Sequence, residues 1–206
     1  MCIALFVSLA VLHDPAIAAD GGWEYQPYRV LTIIALDLPG GLDESLRQFL
    51  PPYLQHRAEA ALAPLWLFDI RIATGSEAAF VRRSLSVEDN TKPCAELTAD
   101  HDKVLLLEVE TAGSSFQLTA REYDTYVERW SPPIVRSCSQ LSNLPEQLFA
   151  LANRASAPLA QFELDANQAI TLIPRGFALL HKSDEPNWAK PGEVFLPLLR
   201  HTARNG

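Results

Sequence analysis

The sequence predicts an α+β fold with an α/β-like start: a mixed sheet of about five strands, packed by about two to three helices, plus a small C-terminal β module. Three observations predict it. A β-branched apolar run over Tyr28–Leu38 is followed by apolar residues at helical spacing. KVLLLEVE (103–110) and SFQLTAREYD (115–124) flank an Ala-Gly-Ser turn, as in an antiparallel pair. An amphipathic stretch, LPEQLFALANRASAPL, then closes the body.

Taken in order, Cys2–Leu12 (CIALFVSLAVL) is apolar, without charge, glycine or proline. Pro15 and the Ala16-Ile17-Ala18-Ala19 stretch follow, which compose a secretory signal peptide over residues 1–19 cleaved after Ala18 or Ala19. The run is shorter than the roughly 20 apolar residues that span a bilayer, so no integral span is expected once it is removed. No Lys or Arg precedes it. The alternatives are a start assigned too far downstream, or a buried apolar strand or helix.

Residues 20–164 read as an α/β domain. Its first strand, Tyr28–Leu38, stops at Pro39-Gly40-Gly41, and Asp43 is placed to cap a helix. Leu42, Leu46, Phe49, Leu50, Tyr53 and Leu54 form the stripe of that helix, which Pro51-Pro52 interrupts or kinks before an alanine-rich portion over 55–65. Trp66–Ile72 is a second strand with Trp66, Phe68, Ile70 and Ile72 on one face, and Thr74–Leu85 a short helix opened by Thr74 or Ser76. The meander follows, its second strand placing Phe116, Leu118, Ala120 and Glu122 on one face and its third running from Tyr126 to Cys138, bending or ending at Pro132-Pro133. Ser142 or Asn143 caps a helix over 144–159.

Residues 165–206 read as the start of a small β-rich module. Two short strands flank Pro174-Arg175-Gly176, and a strand over 193–200 follows the Lys190-Pro191-Gly192 turn. Asn205-Gly206 is a hairpin signal without a returning strand, as if the chain were cut from a longer protein.

Composition narrows the function classes. With a net charge of −8, the chain lacks the concentrated cationic surface that nucleic-acid binding needs, so no nucleic-acid partner is expected. After leader removal Cys94 and Cys138 remain, an even pair able to form a disulfide in an oxidising compartment or to stay as buried thiols.

No zinc, Walker, dinucleotide or nucleophile-elbow motif occurs, so no catalytic residue, metal or cofactor is assigned. Weaker constellations remain. Gly40-Gly41 opens a helix where an anion could sit, but reads better as a tight turn. Asp100-His101-Asp102 is the densest ionisable cluster; a solvated turn before a strand explains it more simply than a metal, which needs three or four converging ligands. His181 and His201 in the tail have no third partner in sequence. Glu108 and Glu110 share a strand face and suit acid/base work only if one pKa is raised; cross-strand pairing with Arg121 and Arg129 is the simpler expectation. Ser84, Ser86 and Ser139 have no paired base in sequence.

The passage HDKVLLLEVETAGSSFQLTAREYDTYVERW, followed by LPEQLFALANRASAPL, resembles the amino-terminal domain of TolB and, more broadly, the α/β domains of envelope proteins such as CsgG. The resemblance covers about residues 28–164, with Asp102, Gly113, Asp124 and the helix from Leu144 as matching features; the central strand lacks the glycine usual in that family. It implies a non-enzymatic periplasmic or secreted scaffold that contacts an envelope protein partner. The expected contact surface is a sheet edge or an apolar patch including Trp23, Tyr25 and Tyr28, which otherwise pack on the core. The alternative is a periplasmic hydrolase or small-ligand-binding protein with a site assembled from distant residues.

Overall fold

The structure, a computed structural model, describes residues 5–9, 22–86, 88, 90–164, 169–180 and 195–199. His181, His201, the Lys190-Pro191-Gly192 turn and Asn205-Gly206 lie outside the described residues. The fold is α+β, and the chain divides into two units. One comprises residues 29–156; the other joins residues 1–28 to 157–206. Residues 20–28 and 157–164, which the sequence places with the α/β body, therefore belong to the second grouping.

The second grouping carries a four-stranded sheet. Its strands are β1 (Leu5–Leu9), β8 (Leu159–Leu164), β9 (Ile170–Pro174) and β10 (Phe195–Leu199). β1 lies between β10 and β8, parallel to both, and β9 returns antiparallel to β8. Pro174-Arg175-Gly176 is not flanked by a second strand: Gly176 takes a left-handed φ of 75°, and Phe177–Leu179 closes as a 3-10 turn.

The 29–156 unit is built on a six-stranded sheet. In chain order its elements are β2 (Tyr28–Asp37), α1 (Gly40–Leu62), β3 (Trp66–Ile72), α2 (Gly75–Ser84), α3 (Ala95–Thr98), β4 (Lys103–Ala112), β5 (Ser115–Asp124), β6 (Arg129–Trp130), β7 (Ile134–Cys138) and α4 (Leu144–Ala155). The order across the sheet is β3-β2-β4-β5-β6, with β7 also on β5. β2 and β4 are parallel; β5 folds back on β4 through a two-residue turn where Gly113 adopts φ 63°.

Helices cover both faces. Leu31, Ile33, Val104 and Leu106 pack with Val81 and Leu85 on the α2 side. The alternate residues Thr32, Leu105 and Leu107 meet Leu54 and Ala58 of α1 and Phe149 and Ala152 of α4 on the other. Double coverage explains why β2 is a nearly continuous buried apolar run and why β5 is buried from Leu118 to Asp124 on both faces.

Three boundaries differ from expectation for physical reasons. α1 runs unbroken through Pro51 and Pro52, although each removes an intrahelical donor. Leu46, Leu50, Leu54 and Ala58, all buried at four-residue spacing, hold it onto the sheet, and tertiary packing overrides local propensity. α4 ends at Ala155 rather than Leu159, because Pro158 disfavours helical geometry at the residue before it. The third meander strand splits into β6 and β7 around Pro132-Pro133.

Candidate functional site

The most site-like feature of the 29–156 unit is a narrow apolar groove on the α1/α4 face, with a volume of about 20 Å³, room for about one water molecule. Its floor is Thr32 from β2, Leu105 and Leu107 from β4, and Phe68 and Ile70 from β3. Leu54, Ala58 and Leu62 of α1 form one wall, and Phe149 and Ala152 of α4 the other, with Asn153 and Ser156 beyond them. Above Phe149 lies Arg57, its guanidinium carbon 5.2 Å from the ring centroid. Arg57 also grips Glu146 with two hydrogen bonds of 2.8 and 3.1 Å, and Tyr53 donates to the same carboxylate at 2.9 Å. These donors hold the Glu146 carboxyl below the usual carboxylate range and lock α1 to α4 beside the groove.

β3 borders this groove and is an outer strand of the six-stranded sheet, with β6 and β7 at the opposite side among the described strands. Phe68 and Ile70 turn toward the groove, while Leu67 is 52% exposed. An outer strand with an exposed leucine is a ready template for one more strand.

The ionisable cluster ahead of β4 is a structural bracket. Asp102 accepts the Arg29 N–H at 2.8 Å, and its own N–H donates to the Arg29 carbonyl. The Asp102 carbonyl accepts Thr125 from both backbone and hydroxyl, tying the start of β4 to the end of β5. His101 faces Asp69 of β3 at 3.9 Å, while Asp100 is exposed. Among the described residues no three His, Cys, Asp or Glu side chains are grouped to hold a metal.

Glu108 and Glu110 do share a face, at the carboxyl end of the β2/β4 pair, with Asp37 opposite Glu110. Arg82 of α2 spans the site, 3.3 Å from Glu108 and donating to the Leu36 carbonyl. Burial raises the Glu108 pKa, the Glu110 charge adds to that, and Arg82 opposes it. The cross-strand partner of Glu110 is Gln117, not an arginine. Arg121 instead donates to the carbonyls of Ser84, Ser86 and Ser131 and to Asn90, pinning the chain that leaves α2.

Ser84 is fully buried and Ser139 exposed, while the Ser86 hydroxyl accepts the Glu88 N–H. Gly40-Gly41 is the exposed first turn of α1, where the Asp43 carboxylate already answers the helix dipole and pairs with Arg47. Cys94 is exposed ahead of α3, and Cys138 is buried at the end of β7, its thiol 3.2 Å from the Gln140 carbonyl; both are free.

Of the aromatics expected to form a patch, Tyr25 is exposed. Tyr28 is fully buried, and its hydroxyl pairs with the Leu159 backbone. Trp23 donates to the Ile173 carbonyl, and Arg175 stacks over both Trp23 and Tyr28 at 5.4 and 4.9 Å. This is core packing of the unit formed by residues 1–28 and 157–206.

A buried ionic cluster escaped sequence reasoning. Lys103 is fully buried, and its ammonium donates to Glu122 at 2.8 Å and to Asp124 at 2.7 Å. The β4/β5 register puts Asp124 directly opposite Lys103 and Glu122 on the adjacent same-face position. The other Asp124 oxygen accepts the N–H groups of Tyr126 and Val127, shaping the turn into β6. The cluster stands inside the fold, out of reach of a substrate.

No protein-family model matches the chain. No curated protein matches it either. Among solved structures it is similar to a PelC variant dodecamer from Paraburkholderia phytofirmans, at 16% identity and a TM-score of 0.36, over 68% of this chain and 95% of that one. A likeness that loose carries no argument about this chain's function, which rests on its own residues.

Proposed function

We propose that the chain is an exported envelope protein whose α/β unit is a non-catalytic interaction module, receiving an extended segment of a protein partner along β3. The observation that carries this reading is β3 itself, an outer strand with Leu67 exposed and the apolar groove alongside. Added strands gain affinity from main-chain hydrogen bonds and specificity from contacts of alternate side chains with the receiving edge. The polar candidates have structural work: Asp102 brackets β4, Glu108 pairs with Arg82, and Lys103 with Glu122 and Asp124 joins the hairpin. The resemblance to TolB-type and CsgG-type envelope domains supports the same reading.

Affinity purification of the full chain from envelope extract, in parallel with Leu67→Lys, tests the docking edge. A lysine on an exposed edge discourages strand addition and leaves the core untouched. The expected result is a co-purifying protein that the lysine variant loses while its melting curve is unchanged. Equal recovery by both chains overturns the edge reading. Export rests on the apolar run before Ala16-Ile17-Ala18-Ala19; Leu5–Leu9 of that run forms β1, so cleavage would remove a strand paired with β8 and β10, and a retained strand is the alternative. Amino-terminal sequencing of periplasmic protein is expected to begin at Ala19 or Asp20, and a chain still beginning at Met1 overturns it.

A further inference from the structure

We infer that the partner received by β3 is a second copy of this chain, whose own β3 lies antiparallel to it about a twofold axis at Ile70; this rests on the reading of β3 as a docking edge. The backbone decides which groups that edge offers. Ala73, just past β3, donates its N–H to the Ile34 carbonyl of β2. Strand residues alternate sides, so Phe68, Ile70 and Ile72 direct their N–H and C=O groups away from β2, to the outer side of the sheet among the described strands. A mate centred on Ile70 sets Ile70 against Ile70 and Phe68 against Ile72, joined by about six main-chain hydrogen bonds.

Charge selects both the mate and the register. Asp69 and Arg71 share one face of β3, their side chains 58% and 42% exposed. Pairing centred on Ile70 sets each Asp69 against the mate's Arg71 at closely spaced positions, where opposite charges attract. Centring on either neighbour instead opposes Asp69 to Asp69 or Arg71 to Arg71, and like charges exclude those registers. Arg71 uses two of its five N–H donors on Glu77 of α2, and His101 lies 3.9 Å from Asp69. The pairing therefore extends two existing contacts into one row of alternating charge. On the opposite face, half-buried Phe68, Ile70 and Ile72 meet the same three residues of the mate, and exposed Leu67 is set against Ala73. An edge that complements itself in charge and apolar surface is what a twofold interface requires.

Sedimentation equilibrium of the full chain over a concentration series at low salt tests the pairing, with melting curves to report folding. The expected result is a reversible dimer. Asp69→Arg and Arg71→Asp each oppose like charges, and each is expected to weaken self-association about tenfold or more. An equimolar mixture of the two variants is expected to recover the parent's affinity, because every opposed pair is again of opposite sign. Should Arg71→Asp, beside Glu77, not fold, the series parent, Asp69→Asn, Asp69→Arg keeps the test, with affinity falling in that order. A parent that stays monomeric, a dimer that charge reversal leaves unchanged, or a mixture as weak as either variant alone would each overturn self-pairing. A monomeric parent whose different co-purifying protein is still lost by Leu67→Lys overturns self-pairing alone and leaves the docking edge standing. Equal recovery by Leu67→Lys overturns the edge and self-pairing with it.

Discussion

At the residue scale, two carboxylates of the same unit respond to acid in opposite directions. Burial raises the folded pKa of Glu108, so the folded state binds its proton more readily than the unfolded chain does. Stability gains as pH falls from neutral toward the ordinary carboxylate value, and Glu108→Gln is expected to remove that gain. Arg57 and then Tyr53 lower the folded pKa of Glu146, so its contribution is present above the ordinary value and lost as pH falls through the depressed one. Glu146→Gln is expected to remove that acid-side loss. Urea titrations at stepped pH, each variant against the parent, read both signs; a shared slope contradicts the assignments.

Lys103 offers a larger effect. Removing it leaves Glu122 and Asp124 buried, both under 10% exposed, without the cation between them. Lys103→Met is expected to destabilise by about 3–5 kcal/mol in urea unfolding, as for other broken buried pairs. A triple replacement of Lys103, Glu122 and Asp124 by apolar residues is expected to recover much of that loss. The cluster was readable in principle. With the turn at Gly113-Ser114, position 103 falls opposite 124 and 105 opposite 122. What hid it is that no local pattern marks a charged residue at a strand start as buried.

At the element scale, periodicity served best where one principle dominated. Trp66–Ile72 and Ser115–Asp124 form strands at the expected positions, and α2 spans Gly75–Ser84 within the expected helix. Proline misled in one direction and informed in the other. Pro158 stops α4, as X-Pro sterics require, yet Pro51-Pro52 fails to stop α1, because the buried stripe from Leu46 to Ala58 outweighs two missing donors. Replacing both prolines by alanine is therefore expected to stabilise the chain by about 2 kcal/mol, the helix gain being offset in part by a freer unfolded state. A fall in stability would mean that α1 needs the prolines' geometry to follow the sheet.

At the scale of the whole molecule, the α+β class and the meander were legible because both depend on local pattern. The division into units was not. Trp23, Tyr28 and Arg175 meet across about 150 residues of sequence, and no local signal announces that stack. The groove was equally hidden: Thr32, Phe68, Leu105 and Phe149 belong to separate elements, and each is an ordinary core residue in its own window. Sheet order makes β3 an outer strand, and sequence order alone places it second in the domain. The functional account therefore depends on topology more than on any motif.

Site-specific photo-crosslinking in the producing cell tests the β3 docking edge. A photoreactive residue at Leu67 on β3 is compared with one at Val135, an exposed position on β7 at the far side of the sheet. A discrete crosslinked partner is expected from position 67 and none from position 135. Equal labelling from both positions, or a partner captured at 135 alone, would contradict it.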